Sequence, residues 1–589
     1  MKFIQLLFFL TITSASLAQN DYLLAESYYR EGAYEKAIEQ FKKLYAKSPF
    51  NTSYLNRLIS CYQETEQFSK AEKMLFSKLK KNPEQGFLYV YLGYNYEREQ
   101  RKELARENYD LALKSIDKNP SYGAIIGRTF KDYNLLNTAV LAYEKVMAIN
   151  KNANYNFQIA QIHGEKGDFK KMFESCIDLV DKKEQYASVI QGFTGKYITD
   201  DSENKANIIF KKTLLKKSIS QPKNIWNSLL SWLFIQQKEY EKAFVQEKAL
   251  YLRNSSDLSA IFSLGKIAFE NKNYTSAKEC FDFITQKSSL NEEIIDAYLY
   301  IAKIAVANHN PQTEALFQSL FKKFGKKTST LKLQIAYADF LTFSQNTPEE
   351  AKIVLENAVA FSSSKFQKAR VKLKLGDVLV FTGKFNKALR YFSQIQTQLK
   401  NHELAQLARF KVAQTSYFKG DFTWAKTQLK VLKSATSQRI ANDAVALYLM
   451  ITDNEPVDGI PSGLSQYSKA VVLGFQNKTQ EAIDTLSVIS KRYKGQPIED
   501  EALFKQAKLF LKLNEFEAAI TNFKKVIALN PEGVLIDDAY YELAELFNNH
   551  LKKPEKASEY YQKIIFDYSS SIYLVEARKK YRKIRGDTL

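Results

Sequence analysis

The chain has 589 residues, of which 45% are hydrophobic and 13% aromatic, with only 20 Gly and 11 Pro. This composition excludes a disordered chain, and so few helix breakers indicate long helices joined by short turns. The 85 Lys and Arg residues exceed the 65 Asp and Glu residues, which gives a net charge of +20. This surplus suits anionic partners, although a generally Lys-rich solvated surface is the simpler explanation.

Residues 1–18 are predicted to be a cleaved signal peptide. Lys2 precedes an apolar run that continues through Leu10, and Ser16 and Ala18 occupy the −3 and −1 positions of an A-x-A-like cleavage site. The run is too short for a membrane span, and the Cys that would follow the cleavage site of a bacterial lipoprotein is absent. We therefore expect an exported, soluble, periplasmic protein that is not a lipoprotein and has no nucleic-acid partner.

One pattern recurs along almost the whole chain and is marked by an Ala, first at Ala37 in "EGAYEKAIEQF". A small residue usually precedes the marker by twelve positions, or by thirteen where the turn is expected to be one residue longer, and a large apolar residue follows it by four. Gly or Asn five positions before the marker, as at Gly32, Asn134 and Asn310, tolerates the left-handed conformation that ends a helix. The markers are Ala37, Ala71, Ala105, Ala139, Met172, Ala206, Ala243, Ala277, Ala315, Ala351, Ala388, Ala425, Ala482, Ala519 and Ala557.

Each marker is interpreted as part of a pair of antiparallel helices that approach most closely at the small residues. A single pair cannot bury its apolar face, so the fifteen pairs are predicted to stack on one another. The pattern resembles the tetratricopeptide repeat, and "LGYNYEREQRKELARENYDLA" (92–112) matches that motif best. The resemblance implies an all-α fold, an α-solenoid of about 15 antiparallel helix pairs, similar to exported multi-repeat proteins of Gram-negative bacteria.

Two irregular regions divide the predicted repeats. Residues 19–183 are expected to form an N-terminal array, and 184–224 a degenerate repeat. Residues 225–435 form a central array, and 436–463 an extra helix followed by a breaker-rich loop that is either a hinge or an ordered kink. The last segment, 464–589, is predicted to be a C-terminal array that ends in a basic capping helix.

No pattern of catalytic or metal-binding residues is found in the sequence. The chain has four His and lacks the H-E-x-x-H, C-x-x-C, P-loop and G-x-S-x-G patterns. Cys61, Cys176 and Cys280 are too widely spaced to suggest a disulfide framework and are interpreted as buried packing residues. We therefore predict a non-enzymatic protein that needs no cofactor or metal and has no small-molecule substrate.

In tetratricopeptide repeat proteins the first helix of each pair lines a concave groove that binds partners. The Lys/Asn carboxylate clamp of the chaperone-binding members is not expected, because Tyr22 and Glu26 occupy the corresponding positions of the first repeat. The resemblance places the candidate groove at Tyr22, Glu26, Tyr29, Arg30, Asn56, Gln63, Tyr94, Arg98, Arg128, Lys131, Phe262, Lys266, Gln414, Tyr417 and Lys508.

Within this set, Arg98, Arg128 and Lys131 beside Tyr94 suit an acidic or C-terminal peptide, or else are ordinary groove side chains. The favoured hypothesis is an envelope scaffold that binds a protein or peptide, in outer-membrane assembly, secretion or cell-wall complexes. One alternative is a glycan-handling hydrolase or accessory, which needs a carboxylate pair across the groove. The other is a peripheral adaptor to anionic membranes through the basic C-terminal helix.

Overall fold

The computed structural model describes residues 21–254, 257–433, 437–456 and 462–587. The predicted signal peptide and the middle of the breaker-rich loop lie outside these ranges. Throughout the described ranges the chain forms helices and turns and contains no strand. The chain divides into two compact units, one ending at residue 198 and resuming over 205–229, the other comprising 199–204 and 230–589.

Among its described residues the first unit contains twelve helices and the start of a thirteenth, which crosses residue 229. They are α1 (21–30), α2 Tyr34–Lys47, α3 Thr52–Glu64, α4 Phe68–Lys81, α5 Phe87–Arg98, α6 Lys102–Lys118, α7 Gly123–Asp132, α8 Leu136–Ile149, α9 Asn156–Glu165, α10 Phe169–Lys182, α11 Ala187–Thr194, α12 Lys205–Ser220 and α13 Asn224–Gln236. Short 3₁₀ turns at Pro120–Tyr122 and Glu184–Tyr186 precede α7 and α11.

The second unit continues the same alternation. Its helices are α14 Tyr240–Asn254, α15 Ser259–Glu270, α16 Tyr274–Lys287, α17 Asn291–Ala307, α18 Thr313–Phe324, α19 Leu331–Asp339, α20 Pro348–Phe361, α21 Lys365–Phe381, α22 Phe385–Gln398, α23 Glu403–Phe418, α24 Phe422–Leu432, α25 Gln438–Asp453, α26 Leu464–Phe475, α27 Thr479–Arg492, α28 Ile498–Lys512, α29 Phe516–Leu529, α30 Ile536–Glu545, α31 Pro554–Asp567 and α32 Leu574–Arg585.

The predicted all-α architecture of consecutive helix pairs is confirmed in each unit. The first helices of the pairs are the odd-numbered ones up to α23, then α26, α28 and α30, and the second helices follow them. Fourteen of the fifteen marker side chains are buried. At Gly93 an added Cβ would lie 2.5 Å from the ring of Tyr109, so this residue marks a contact too close for any side chain.

One marker was assigned wrongly from the sequence. Ala315 is exposed, whereas Thr313 is buried, with Phe317 four residues later at the usual apolar position. In this repeat residues 308–312 form the turn, and the helix starts at Thr313 itself. The left-handed residue is consequently His309, with φ of 50°, and not Asn310.

The left-handed turn recurs even where its residue is neither Gly nor Asn. Five positions before the marker, φ lies between 53° and 82° in thirteen repeats. The residues are Gly32, Glu66, Gln100, Asn134, Gly167, Lys238, Lys272, Asn346, Gly383, Gly420, Asn477, Asn514 and Lys552. Packing of the two helices therefore imposes this conformation on side chains that disfavour it.

The expectation of a longer turn before Ala351 and Ala557 is also wrong. The extra residue lies in the first helix of each pair, which ends in a π-helical turn at Phe340–Ser344 and at Leu546–His550. A π turn takes one more residue than an α turn, so the loop that follows keeps its usual length.

The two irregular regions differ in how their helices pack. In the predicted degenerate repeat α11 has only eight residues, and α12 packs directly on α10. In the second region α25 covers the segment predicted to be an additional helix and packs on α23 and α24.

Helix α26 follows the irregular region and contacts much earlier repeats of the same unit. The ring of Phe475 lies 5.5 Å from that of Phe343, 6.4 Å from Phe381 and 6.3 Å from Phe418. The Nδ2 of Asn477 donates to the carbonyl of Phe343 at 2.9 Å, across 134 residues of sequence. We call the four Phe residues the α26 anchor, which fixes α26 against the ends of three first helices.

Candidate functional site

Two candidate residues of α1, Glu26 and Tyr29, contact Arg57 of α3. The guanidinium of Arg57 bonds both carboxylate oxygens of Glu26, at 2.6 and 2.9 Å, and lies 4.4 Å from the ring centre of Tyr29. Arg30 is exposed, 3.5 Å from the same carboxylate. The negative charge of Glu26 is therefore already neutralised within the protein.

Tyr22 and Asn56 lie beside this pair. Tyr22 is half-buried, with its ring 6.3 Å from Phe41 and 5.7 Å from Tyr54. The Oδ1 of Asn56 is buried and has no hydrogen-bond donor among the described residues.

Gln63 is fully buried and connects three helices. Its Nε2 donates to the carbonyl of Tyr91 at 3.0 Å, and its Oε1 accepts from the hydroxyl of Tyr133 at 2.8 Å. The ring of Tyr94 stacks on that of Tyr133 at 3.9 Å. Burial raises the pKa of the Tyr133 hydroxyl well above its usual value. Gln63 is thus placed to orient the tyrosines rather than to touch a partner.

The predicted basic cluster is largely paired. Arg98 lies 3.5 Å from Glu64, and Lys131 lies 2.8 Å from Glu165, so each cation faces a carboxylate of a neighbouring first helix. Arg128 is exposed and makes no ion pair with any residue that the structure describes. A single free cation remains from the cluster, which weakens the argument for an acidic peptide in the first unit.

Ion pairs between successive first helices recur in the second unit, and the sequence interpretation missed them. We call this series the first-helix ladder. Its signal was present as Lys and Asp or Glu residues at repeat spacing, but pairing them requires the register of neighbouring helices. The pairs are Lys332 with Asp296 at 2.7 Å, Lys374 with Asp339 at 2.9 Å, Lys411 with Asp377 at 3.0 Å and Lys508 with Glu542 at 2.7 Å.

Gln414 and Tyr417 lie on α23, the helix that also carries Lys411 of the first-helix ladder. The Oε1 of Gln414 accepts from the Nζ of Lys411 at 3.5 Å. Tyr417 is 2% exposed, and its hydroxyl has no hydrogen-bond partner among the described residues. Burial raises the pKa of this hydroxyl well above its usual value.

Phe262 and Lys266 line a groove that runs over the first helices α15, α17, α19 and α21 and touches the end of the second helix α18. They share a cavity of about 380 Å³ with Tyr300 and Lys303. A larger cavity of about 1080 Å³ has Asp296, Lys332 and Ile335 in common with it and continues to Arg370. We call the two cavities together the α15–α21 groove.

The α15–α21 groove carries excess positive charge. Within the described residues Lys266, Lys303 and Arg370 have no carboxylate at ion-pair distance, whereas Lys332 is neutralised by Asp296. Burial lowers the pKa of the Lys303 ammonium, an effect that Asp339 and Asp296 partly oppose. Its Nζ lies 5.0 Å from the ring centre of Tyr300. Lys303 was missed, although it stands 37 residues after Lys266, one repeat step.

The three cysteine thiols are shielded from solvent. Cys61, Cys176 and Cys280 are free and buried, and burial raises the pKa of each thiol to about 12.

No group of three or more His, Cys, Asp or Glu in the described ranges is arranged to hold a metal ion. None of the described helices combines the length and apolar character needed to cross a bilayer.

The basic C-terminal helix α32 uses some of its cations internally. The Nζ of Lys580 lies 2.6 Å from the carboxylate of Glu545, and the guanidinium of Arg585 donates to Asp587 at 2.9 Å. Arg578 and Arg582 are exposed.

Comparisons with known proteins agree with the repeat pattern. A family model described as tetratricopeptide repeat matches residues 19–52 and 504–572. No curated protein sequence matches the chain. Among solved structures, Naa15/Naa10 bound to HypK-THB is 11% identical, with 97% of each chain covered and a TM-score of 0.28.

Two further solved structures are similar at the same level. The Cut9–Hcn1 hetero-tetramer of the APC/C is 13% identical, with 96% of each chain covered and a TM-score of 0.27. Yeast Tom70 is 14% identical over 82% of this chain and 99% of its own, with a TM-score of 0.31. Residues 19–52 and 504–572 thus match the tetratricopeptide repeat, and helix pairs with left-handed turns of the same kind recur along the described residues between these segments.

Proposed function

We propose that this protein is a non-enzymatic scaffold that binds an extended, negatively charged segment of a partner protein in the α15–α21 groove. A scaffold of stacked helix pairs suits protein–protein interaction because successive repeats offer a long continuous surface. The observation that carries the proposal is a groove across four first helices in which three cations have no carboxylate at ion-pair distance among the described residues.

Charge complementarity indicates which chemical groups the partner segment should carry. Lys303 is partly desolvated, so a partner carboxylate beside it would restore interactions that water no longer fully supplies. Tyr300 and Phe262 offer aromatic surface next to the ammonium groups, and their rings lie 5.7 Å apart. An acidic, partly aromatic or apolar segment fits this combination best.

The place of action is proposed to be the periplasm of a Gram-negative envelope, where the partner would be another envelope protein. The support is the pattern of residues 1–18, with its Lys2, apolar run and small residues before Gln19. Mass spectrometry of the protein purified from envelope fractions is expected to find Gln19 at the mature N-terminus. Recovery of the chain from the cytosol with Met1 intact would contradict export.

The groove is tested by fluorescence anisotropy with two labelled peptides, one rich in Glu and its counterpart with Gln at every Glu. The wild-type protein is expected to bind the Glu peptide and to discriminate against the Gln peptide. The double variant Lys266→Glu/Arg370→Glu reverses two groove charges and is expected to weaken binding by about tenfold or more.

A matched control separates the groove from net charge. Lys387→Glu/Lys430→Glu places the same two charge reversals on the exposed faces of the second helices α22 and α24. This control is expected to change affinity by less than about twofold at physiological salt. Equal losses in the two double variants would show that overall charge, and not the groove, attracts the peptide.

A further inference from the structure

The first unit has a basic edge where one helix pair connects to the next. We call it the inter-repeat edge and define it as these connections together with the last turn of the second helix before each. It comprises residues 44–51, 78–86, 115–122, 146–155, 179–186 and 217–223. These ranges contain ten Lys residues and only four Asp or Glu residues.

The opposite edge of the same unit has no such surplus. The turns within the pairs, taken with the last turn of each first helix, comprise residues 27–33, 61–67, 95–101, 129–135, 162–168 and 191–198. These ranges contain six Lys or Arg residues and eight Asp or Glu residues. The helix dipole favours cations at the end of every helix, so it does not explain a surplus that is confined to one edge.

Contacts connect successive repeats along the inter-repeat edge. The Nζ of Lys78 donates to the carbonyl of Pro49 at 3.0 Å, so the end of α4 lies against the connection between α2 and α3. The Nδ2 of Asn119 donates to the carboxylate of Glu84 at 3.4 Å, which joins the next two connections. Lysines of different repeats are therefore held along one surface.

Most of these lysines are not neutralised within the fold. Lys47 lies 3.4 Å from Asp21, and Lys217 and Lys223 each lie 2.6 Å from Asp181. None of the other seven has a carboxylate at ion-pair distance among the described residues, and six of the seven are exposed. The six are Lys80, Lys81, Lys118, Lys151, Lys182 and Lys183.

A cavity lies on the edge where the connection after α8 meets the end of α10. It has a volume of about 560 Å³ and is lined by Lys151, Lys182 and Lys183. Gln158 also lines it, and the Oε1 of Gln158 is buried without a hydrogen-bond donor among the described residues. A group that carries a negative charge and a hydroxyl or ammonium donor would satisfy both the lysines and this oxygen. Anionic phospholipid headgroups combine the two.

Apolar side chains protrude from the same edge. Phe50 is 97% exposed and Ile219 is 82% exposed, the highest values for large apolar side chains in the described part of this unit. No large apolar side chain is exposed in the described residues of the opposite edge. Single exposed apolar residues are common, but here the most exposed ones coincide with the unneutralised lysines.

We propose that the inter-repeat edge of the first unit binds the surface of an anionic phospholipid bilayer. The lysines contact phosphate groups, one headgroup occupies the cavity at Gln158, and Phe50 reaches the acyl chains. Electrostatic attraction combined with a small buried apolar area holds peripheral proteins on membranes. An acidic protein would match the charge but has no need of a Phe that projects fully into solvent.

Vesicle sedimentation with the full mature chain tests the proposal. Vesicles of phosphatidylcholine with about 30% phosphatidylglycerol are expected to bind the protein at least about tenfold more tightly than pure phosphatidylcholine vesicles. Added salt should weaken this binding, because exposed charges are screened. Equal binding to the two kinds of vesicle would overturn the proposal.

Charge reversals at the two ends of the same helices locate the contact. Lys118→Glu/Lys182→Glu changes the ends of α6 and α10 on the inter-repeat edge and is expected to weaken vesicle binding at least about tenfold. Lys102→Glu/Lys170→Glu changes exposed lysines in the first turns of the same helices and should change it less than about twofold. Equal losses in the two variants, both with wild-type melting temperatures, would show that net charge alone attracts the vesicles.

Phe50→Trp reports whether the edge enters the bilayer. Bromine-labelled acyl chains are expected to quench the added indole in vesicle-bound protein, with the wild type as background. Phe50→Ser is expected to weaken binding a fewfold at an unchanged melting temperature, because the native side chain is 97% exposed. An unquenched indole in bound protein would contradict insertion of Phe50.

Two further variants separate this edge from other basic surfaces. Arg578→Glu/Arg582→Glu in α32 is expected to keep vesicle binding, and its loss there would move the membrane contact to the C-terminal helix. Lys266→Glu/Arg370→Glu should also keep it, because the α15–α21 groove shares no residue with the edge. Tighter binding of this groove variant to polyglutamate than to the vesicles would assign the edge to acidic proteins instead.

Discussion

Arg57 in α3 holds both carboxylate oxygens of Glu26 in α1, with Nη2 2.6 Å from Oε1 and Nε 2.9 Å from Oε2. Glu26 is only 8% exposed, so its carboxylate is largely desolvated where the pair bridges the first helices of two successive repeats, whereas the Arg57 side chain stays partly exposed. Bidentate geometry fixes the relative orientation of the two helices in a way that apolar contacts do not. The first-helix ladder of the second unit also joins successive first helices by ion pairs, there with the point charge of Lys and without the planar fork of Arg.

Removing one member of this pair should be costly. Arg57→Ala leaves the Glu26 carboxylate without its strongest partner and is expected to lower the free energy of unfolding by about 2 kcal/mol, measured by urea denaturation. Arg30→Ala removes the exposed partner of the same carboxylate and should cost less than about 0.5 kcal/mol. Equal effects of the two variants would show that the bidentate pair contributes no more than a surface contact.

The α26 anchor is expected to couple α26 to the repeats that it touches. Phe475→Ala should lower the free energy of unfolding by about 2 kcal/mol, because it leaves a void among the other three rings. Hydrogen–deuterium exchange should then rise at the ends of α19 and α21 as well as in α26. Phe50→Ala, at a site that is 97% exposed, is the control and should change stability by less than about 0.5 kcal/mol. Faster exchange confined to α26 would contradict the coupling.

Glu501 should make stability depend on pH. The pKa of Glu501 in the folded chain is about 7, whereas an unfolded Glu titrates near 4.3, so the folded chain keeps a proton that the unfolded chain has lost. The resulting stabilisation is complete below about pH 4.3 and is lost as the pH rises through 7. Glu501→Gln is therefore expected to gain about 2–3 kcal/mol relative to the wild type between pH 5 and pH 8.

Denaturation of both proteins at the two pH values measures this difference. Glu559→Gln serves as the exposed control, for which the difference from wild type should be the same at pH 5 and pH 8. A pH-independent difference between wild type and Glu501→Gln would mean that Glu501 titrates as an ordinary carboxyl group.

Replacing a left-handed residue other than Gly by Gly is expected to raise the stability of the fold. Lys272 has a φ of 60° at the turn before α16, where a side chain is strained. Lys272→Gly is expected to raise the free energy of unfolding by about 0.5–1 kcal/mol, read from urea denaturation. Glu279→Gly, on the exposed face of α16, should lower it by about 1 kcal/mol, since that position is helical. A loss of stability in Lys272→Gly would show that the strain is offset by contacts of the lysine stem.

The spacing of Ala37, Ala71 and their equivalents determined the repeat and the succession of helix pairs. It could do so because close helix packing admits only small residues at fixed intervals, a constraint that is local and periodic. The spacing did not predict the position of Thr313 or the two π turns, because a shift of one or two residues inside a repeat leaves the average period unchanged.

Only the tertiary structure decided whether the candidate groove residues are buried, paired or free. Sequence alone placed Arg98, Lys131 and Lys508 on first helices, but their carboxylate partners come from neighbouring repeats, and pairing depends on the register between helices. Lys303 and Glu501 matter because neither has an ion-pair partner among the described residues, and no residue pattern in the sequence reveals this. Desolvation and the field of groups distant in sequence set their chemistry, and both arise only when the repeats are stacked.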